Sequence, residues 1–378
     1  MSNVGRGPRS GPAEGEAATP DVGRGPRSGP AEISRVLILA PNWLGDAVMA
    51  LPAIADVRRA FPSARLVVAA RRAVTDLFRL VPIVDEIVTL HWSGRWWQRG
   101  SFAVDTERLR ALGADVAILL PNSFATAWLA KRAAIRDRWG YAADLRSPLL
   151  TRAVPRPEGS VHQGGYYQHL TRMLGMTSGP LEPALVIPGE ATNTAHRQLR
   201  DAGWDGVRPL VVFAPGAAYG TAKRWMPEYV ARVVTDLVLQ RQATCVLVGS
   251  AADSPTTRDV RAMIDPQAAA HVIDLSGHTS LEVLAGVLGV AHACVANDSG
   301  AMHVAAAVGT PLVAIFGPTR EYETAPLTRS GSRSDVLIHP VSCRPCMLRE
   351  CPIDHRCMKG IAPDRVYASV ASLLSSST

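Results

Sequence analysis

The chain is short of the residues that would mark several protein classes. Six cysteines occur in 378 residues, and two of them, Cys245 and Cys294, stand alone in strand-like runs. That is no framework for a disulfide-built secreted domain. Aromatic residues make up only 6%, with a cluster of Trp92, Trp96 and Trp97 in one loop. A nucleic-acid binder would need aromatic platforms along a basic groove, so this distribution argues against one. No apolar run reaches the length of about eighteen residues that suggests a membrane span. The nearest, "HVAAAVGTPLVAIF", is broken by Gly309 and Pro311. The N-terminal stretch lacks the apolar core of a signal peptide. These absences predict a cytoplasmic protein.

Acidic residues are the scarcer charge, 33 against 40 basic ones, for a net charge of +7. In the leader, Arg6, Arg9, Arg24 and Arg27 cancel against Glu14, Glu16, Asp21 and Glu32. The positive excess therefore belongs to the folded part and favours an anionic ligand or surface. The leader repeats itself: "VGRGPRSGPAE" at 4–14 recurs unchanged at 22–32. A Gly/Pro/Arg/Ser tract with almost no large apolar residue cannot offset its ordering entropy, so disorder is expected over 1–32.

The rest of the chain has the length and the 47% hydrophobic content of two moderate domains. From Ile33 apolar strands alternate with helices: "RVLILAP", a helix "GDAVMALPAIADVRRAF", "RLVVAA", "VDEIVTL", "DVAILLPN" and a helix "SFATAWLAKRAA". Strands without polar alternation, joined by helices, indicate a parallel α/β sheet. A Pro-rich and polar stretch with one helix follows. The alternation then restarts with "PLVVFAPGA", "ATCVLVGS", "HVIDLSG", "ACVAND" and "PLVAIFGPT". The expected organisation is a domain over 33–180, a connection over 181–205, a second domain over 206–362, and a C-terminal helix and tail over 363–378. Two doubly wound halves would face each other across a cleft, with ligands outside the carboxyl ends of the strands.

The chemistry-bearing motifs all sit just after strands. Gly45-Asp46 places a carboxylate where a strand turns into a helix; Asp46 also suits a helix N-cap. In "FAPGAAYGTAKRWMPEYV", small residues including Gly216 and Ala217 let backbone N–H groups approach an anion. Lys223 and Arg224 can neutralise a phosphate. The spacing is not that of a P-loop. In "NDSGAMHVAAAVG", Asp298 or Ser299 can cap a helix whose N-terminus suits a diphosphate. His303 lies one turn on, on the face of Ser299 and Gly300. Asp253, in "GSAADSP", can meet a sugar hydroxyl, and "FGPT" at 316–319 adds a fourth loop on the same edge. The cluster Cys343-x2-Cys346-x4-Cys351-x5-Cys357 contains His355. Its spacing is compatible with a structural zinc site, with free thiols packed under a loop, or with disulfides, and it is not that of a standard finger.

Four strings in this order, "NWLGDAVMALPAI", "PGAAYGTAKRW", "NDSGAMHVAAAVGTPLVAIFGPT" and "CRPCMLRECPIDHRCMKGI", resemble the ADP-heptose:lipopolysaccharide heptosyltransferases, glycosyltransferase family 9. The likeness runs from about Arg35 to the C-terminus and is nearest the heptosyltransferase II branch. It implies a GT-B fold and inverting transfer of heptose from ADP-heptose to a phosphorylated lipid A/inner-core acceptor at the inner membrane surface. It also implies that no cofactor is required. It implies Asp46 as catalytic base in the acceptor-binding half and Lys223 as the donor-phosphate contact. Gly216, Ala217, Asp298, Ser299, Gly300 and His303 would line the donor site. Asp253 stands where family members often carry Glu. Three other readings remain at this point: a family member of the I or III type, a GT-B-shaped nucleotide-sugar epimerase, and a non-catalytic nucleotide or sugar binder. The last would keep the His303 loop without needing Asp46.

Overall fold

The computed structural model describes residues 33–95 and 97–375. The repeated leader at 1–32 and Trp96 therefore lie outside the described residues. Among the described residues, twelve strands form two six-stranded sheets. The first contains β1 (Arg35–Leu39), β2 (Arg65–Arg71), β3 (Glu86–Leu90), β4 (Val116–Leu119), β5 (Asp137–Tyr141) and β6 (Arg152–Val154), in the order β3-β2-β1-β4-β5-β6. The second contains β7 (Leu210–Ala214), β8 (Thr244–Leu247), β9 (Val272–Asp274), β10 (Ala293–Asn297), β11 (Leu312–Phe316) and β12 (Ser334–Ile338), in the order β12-β11-β10-β7-β8-β9. Every pairing is parallel, from β1 on β2 and β4 to β10 on β7 and β11. Each half thus reverses its winding at one point, between β1 and β4 and between β7 and β10. The crevice at that reversal is where doubly wound sheets bind ligands.

The central strands are apolar because helices cover both faces. β7 (LVVFA) and β11 (LVAIF) are buried at every position. Leu37, Leu39, Val67 and Leu119 centre one core; Phe213, Trp225, Leu247 and Val295 centre the other. Trp225 is 1% exposed, and its indole N–H donates to the Ile361 carbonyl at 3.0 Å. It is a core residue. The helix Gly189–Asp201, within the stretch read as a connection, packs on the helix Leu281–Val290 of the second half. The last helix, Pro363–Ser375, packs on the same half, against the helix Pro227–Arg241 and β10 and β11.

Local rules set the helix ends near the site. The helix Leu44–Met49 stops at Ala50, and a second, Leu51–Ala60, carries Pro52 in its first turn, where a missing N–H is tolerated. The expected single helix is therefore two. Gly309 closes the helix Gly300–Val308 with φ +94°, a conformation that glycine adopts without steric cost.

One buried carboxylate ties the first half to the chain that leaves it. Asp56 is fully buried and accepts from Gln168 Nε2 (3.1 Å), Thr171 Oγ1 (3.1 Å) and the Gly179 N–H (2.9 Å), and it pairs with Arg59. Asp56→Ala would leave these buried donors unsatisfied. We expect it to destabilise the fold by about 3 kcal/mol, read as a lowered midpoint in urea.

Candidate active site

The carboxyl edges of the two sheets face a shared cavity of about 570 Å³, within the range typical of ligand pockets. The first half contributes Trp43, Leu44, Gly45, Asp46 and Met49, from the turn after β1 and the helix it starts. The second half contributes Gly216, Ala217, Tyr219 and Lys223 after β7, Asp253 after β8, and Asp298, Ser299, Gly300 and His303 after β10. All the residues named for catalysis and donor binding therefore line one space, whereas Arg224 and the four clustered cysteines do not. Three of the four loops that supply them lie at the points where the winding reverses.

The two halves touch closely across this space. The helix Leu44–Met49 packs directly on the helix Gly300–Val308. A Cβ on Gly45 would sit 2.7 Å from His303 Cδ2, and one on Gly300 would sit 2.8 Å from Leu44 Cβ. Each half thus presents a glycine where the other presents a side chain. Neither glycine has positive φ; the constraint is space.

Asp46 lies in the first turn of its helix, three positions after the N-cap residue Trp43, so the N-cap expectation fails. Burial lifts its carboxyl from an ordinary 3.8 to about 6; the Lys223 ammonium opposes this and the Asp298 carboxylate adds to it. Such a group is largely ionised at neutral pH, yet more basic than an exposed carboxylate. His303 is 3% exposed, and burial pushes its imidazole down to about 4, so it is neutral at pH 7.

Neither Asp298 nor Ser299 caps the helix Gly300–Val308. Ser299 occupies the N-cap position without a side-chain cap bond, and its buried Oγ has no hydrogen-bond partner among the described residues. The Asp298 carboxylate instead accepts from Lys223 Nζ at 2.6 Å and from Thr319 Oγ1 at 2.6 Å, both on Oδ2. Thr319 comes from the "FGPT" loop after β11. Asn297 binds the Pro215 carbonyl (2.7 Å) and the Trp225 N–H (3.2 Å), fixing the β7 loop against the β10 loop. Asp253 Oδ2 accepts from the Ser250 N–H (2.9 Å) and Oγ (2.7 Å), while its other oxygen lies over Gly216. Thr319, Tyr219 and Met347 were not singled out in the sequence. The only signals for them were membership of the "FGPT" loop, the aromatic ring in "GAAYG", and a place between Cys346 and Cys351.

The six cysteines are free thiols. Cys343 is exposed, Cys346 and Cys351 are half-buried, and Cys357 is buried, its thiol pushed up by burial and by the other three. Among the described residues, no group of three or more His, Cys, Asp or Glu side chains is arranged to hold a metal ion. No helix among the described residues is long and apolar enough to cross a membrane.

Comparison with known proteins agrees with this geometry. A family model described as glycosyltransferase family 9 (heptosyltransferase) matches residues 106–356. Lipopolysaccharide heptosyltransferase 2 of Salmonella typhimurium is 29% identical, over 90% of this chain and 99% of its own length. The protein of the same name from Escherichia coli K12 is 30% identical, over 78% and 86%. The solved structure of the E. coli ADP-heptose heptosyltransferase II superposes with a TM-score of 0.78 at 27% identity, covering 91% of this chain and 99% of that one. E. coli heptosyltransferase WaaC with ADP, 18% identical with a TM-score of 0.69, shares the fold. With its paired parallel sheets meeting at one cavity, the chain belongs to glycosyltransferase family 9, the heptosyltransferases, and is a glycosyltransferase of the GT-B fold.

Proposed function

We propose that this enzyme transfers heptose from ADP-heptose to the lipopolysaccharide inner core, onto its first heptose, with inversion at the anomeric carbon. One observation carries the reading: a single raised-pKa carboxylate, Asp46, stands on one half and faces Lys223, Asp298 and a helix N-terminus on the other. Relatives named lipopolysaccharide heptosyltransferase 2, similar over most of the chain, support the choice of sugar and acceptor.

In this reaction the acceptor hydroxyl gives its proton to the Asp46 carboxylate as its oxygen attacks the anomeric carbon. The bond from that carbon to the β-phosphate oxygen breaks on the opposite face. ADP leaves with the electron pair. Lys223 and the free N–H groups at the start of the helix Gly300–Val308 hold the charge that develops on it. Neutral His303 packs against Gly45 and can hydrogen-bond a donor hydroxyl or phosphate oxygen without adding charge. The phosphorylated acceptor approaches from the first half, at the inner membrane surface. A net charge of +7 and exposed rings beside Arg groups, Trp97 with Arg95 and Trp128 with Arg132, support that approach. The direct test is incubation with ADP-heptose and a monoheptosylated inner-core acceptor, read by mass. A gain of one heptose supports the reading, and an unchanged acceptor mass with active protein overturns it.

The pH profile follows from the Asp46 carboxyl. We expect kcat to fall about tenfold per unit below pH 6 as the base takes up a proton, with that limb absent in Asp46→Asn. This substitution should lower kcat by roughly two to four orders of magnitude with ADP affinity nearly intact. Its effect on stability has the opposite sign. The folded pKa is raised, so ionised Asp46 is a penalty that grows as pH climbs from 3.8 to about 6 and persists above. At pH 8 the Asn variant should therefore be more stable by about 1–3 kcal/mol. A variant that is less stable and still turns over normally would remove Asp46 from the role of base.

Gly45→Ala tests the contact between the halves. Its Cβ would overlap His303, so the halves must part at the reacting centre. We expect kcat to drop by about 10–100-fold, while ADP titrated by calorimetry, held mainly by Lys223 and its neighbours on the second half, is weakened far less.

A further inference from the structure

The Cys-rich segment has no part in the reaction just described, yet it reaches the cavity. Met347 lies on the cavity wall, although its chain comes from beyond β12. Residues 343–351 touch two loops of the site at once. On one side, the Tyr219 hydroxyl donates to the Met347 carbonyl at 2.8 Å, and the Ala222 N–H donates to the Arg349 carbonyl at 3.0 Å. On the other side, the Met347 N–H donates to the Pro318 carbonyl at 3.0 Å. Arg344 donates to the Gly317 carbonyl (2.6 Å) and the Thr319 carbonyl (3.1 Å), and it pairs with Glu321 at 2.6 Å. Two cations lie against the Tyr219 ring, with Lys223 Nζ 4.8 Å and Arg349 Cζ 5.2 Å from its centroid.

These two loops carry Lys223 and Thr319, the groups that share the Asp298 carboxylate. The fit is close. A Cβ on Gly220 would sit 2.2 Å from the Arg349 carbonyl oxygen, and one on Gly317 would sit 2.3 Å from Met358 Sδ. Gly220 has φ 162°, extended backbone open to any residue, so glycine is needed there for the approach of Arg349 alone.

We propose that residues 343–351 are a strap belonging to the donor site: they seat the loop 219–223 so that Lys223 meets the donor diphosphate, and they close the cavity with Met347. Without the strap, the loop after β7 would keep its anchors at Pro215 and Trp225 but lose those at Tyr219 and Ala222, the positions nearest Lys223. A Lys side chain carries about 2 kcal/mol of rotamer entropy, so an unbraced loop would lose part of its phosphate affinity to reordering on binding. Tyr219 and Arg349 are positioning residues, since they act through Lys223 and its loop. The four clustered cysteines occupy the strap and its return to Cys357, so their packing shapes the strap rather than the reaction. This inference rests on the ADP-sugar reading of the cavity.

The test uses the full chain and two variants. Tyr219→Phe removes only the hydrogen bond to Met347. Gly220→Ala drives the strap off the loop without straining the backbone. ADP is titrated by calorimetry, and KM is measured separately for ADP-heptose and for the acceptor. Losing one hydrogen bond predicts about fivefold weaker ADP binding for Tyr219→Phe. Gly220→Ala should weaken it more than about tenfold. The KM for ADP-heptose should rise in parallel while the acceptor KM stays constant. That split between donor and acceptor is what a merely structural strap would not produce. ADP affinity at the wild-type value in both variants overturns the proposal, as does equal damage to donor and acceptor. The wild-type titration in the same series tests the donor reading by itself, so the two failures are distinguishable.

Discussion

The contact between the helices Leu44–Met49 and Gly300–Val308 is the constraint on which the site depends. It exists because each helix offers a glycine to the other, Gly45 beneath His303 and Gly300 beneath Leu44. Helices that close exclude water from the groups between them, and that exclusion raises the Asp46 carboxyl. A larger residue at either glycine would open the contact, re-solvate the carboxylate and return it toward an ordinary acid. The same approach brings Asp46 within electrostatic range of Lys223 and Asp298, which belong to the other sheet. Strand order makes the meeting possible. Both halves wind from the centre outward and reverse between their first and fourth strands, so the loops at the two reversals open on one cavity.

Much of this was legible in the sequence because parallel strands buried on both faces are unbroken apolar runs. β1, β2, β4, β7, β8, β10 and β11 all read that way, and a loop that follows such a strand lies at a predictable edge. The strands that escaped notice are β5 (DRWGY), β6 (RAV) and β12 (SDVLI). They lie at or next to sheet edges and are only partly buried, so polar residues interrupt them. The helix Arg99–Ala111 escaped for a related reason: it buries only Asp105, Thr106 and Leu109, and so shows no apolar stripe. Buried Asp105 accepts from the N–H groups of His91 and Trp92, and it holds the tryptophan loop from inside. A carboxylate in that role looks like a surface residue in the sequence.

Pairings between loops were the part that sequence could not supply. Asp298 reads as a cap because an acidic residue before a helix is usually one. Its actual partners, Lys223 and Thr319, lie 75 and 21 positions away. Trp225 reads as part of the phosphate motif, yet it is the anchor that fixes that motif to the core through Asn297 and Ile361. The motif string is thus a mixture of groups facing the cavity and groups holding them there. Spacing alone does not separate the two.

The arrangement of charge in the cavity bears on how the proposed reaction proceeds. Lys223 is paired with Asp298 before any diphosphate arrives, so the cation is ordered by a carboxylate that would otherwise repel the donor. An ammonium has three N–H donors and the pair uses one, which leaves Lys223 able to hold a phosphate oxygen without releasing Asp298. Asp46 supplies the second negative charge near the donor. In the proposed displacement that charge disappears as the acceptor proton reaches the carboxylate, while negative charge grows on the departing ADP. The cavity therefore carries nearly the same net charge before and after the transfer. A partly desolvated site favours such a step, because there a change in net charge would be less fully compensated by solvent.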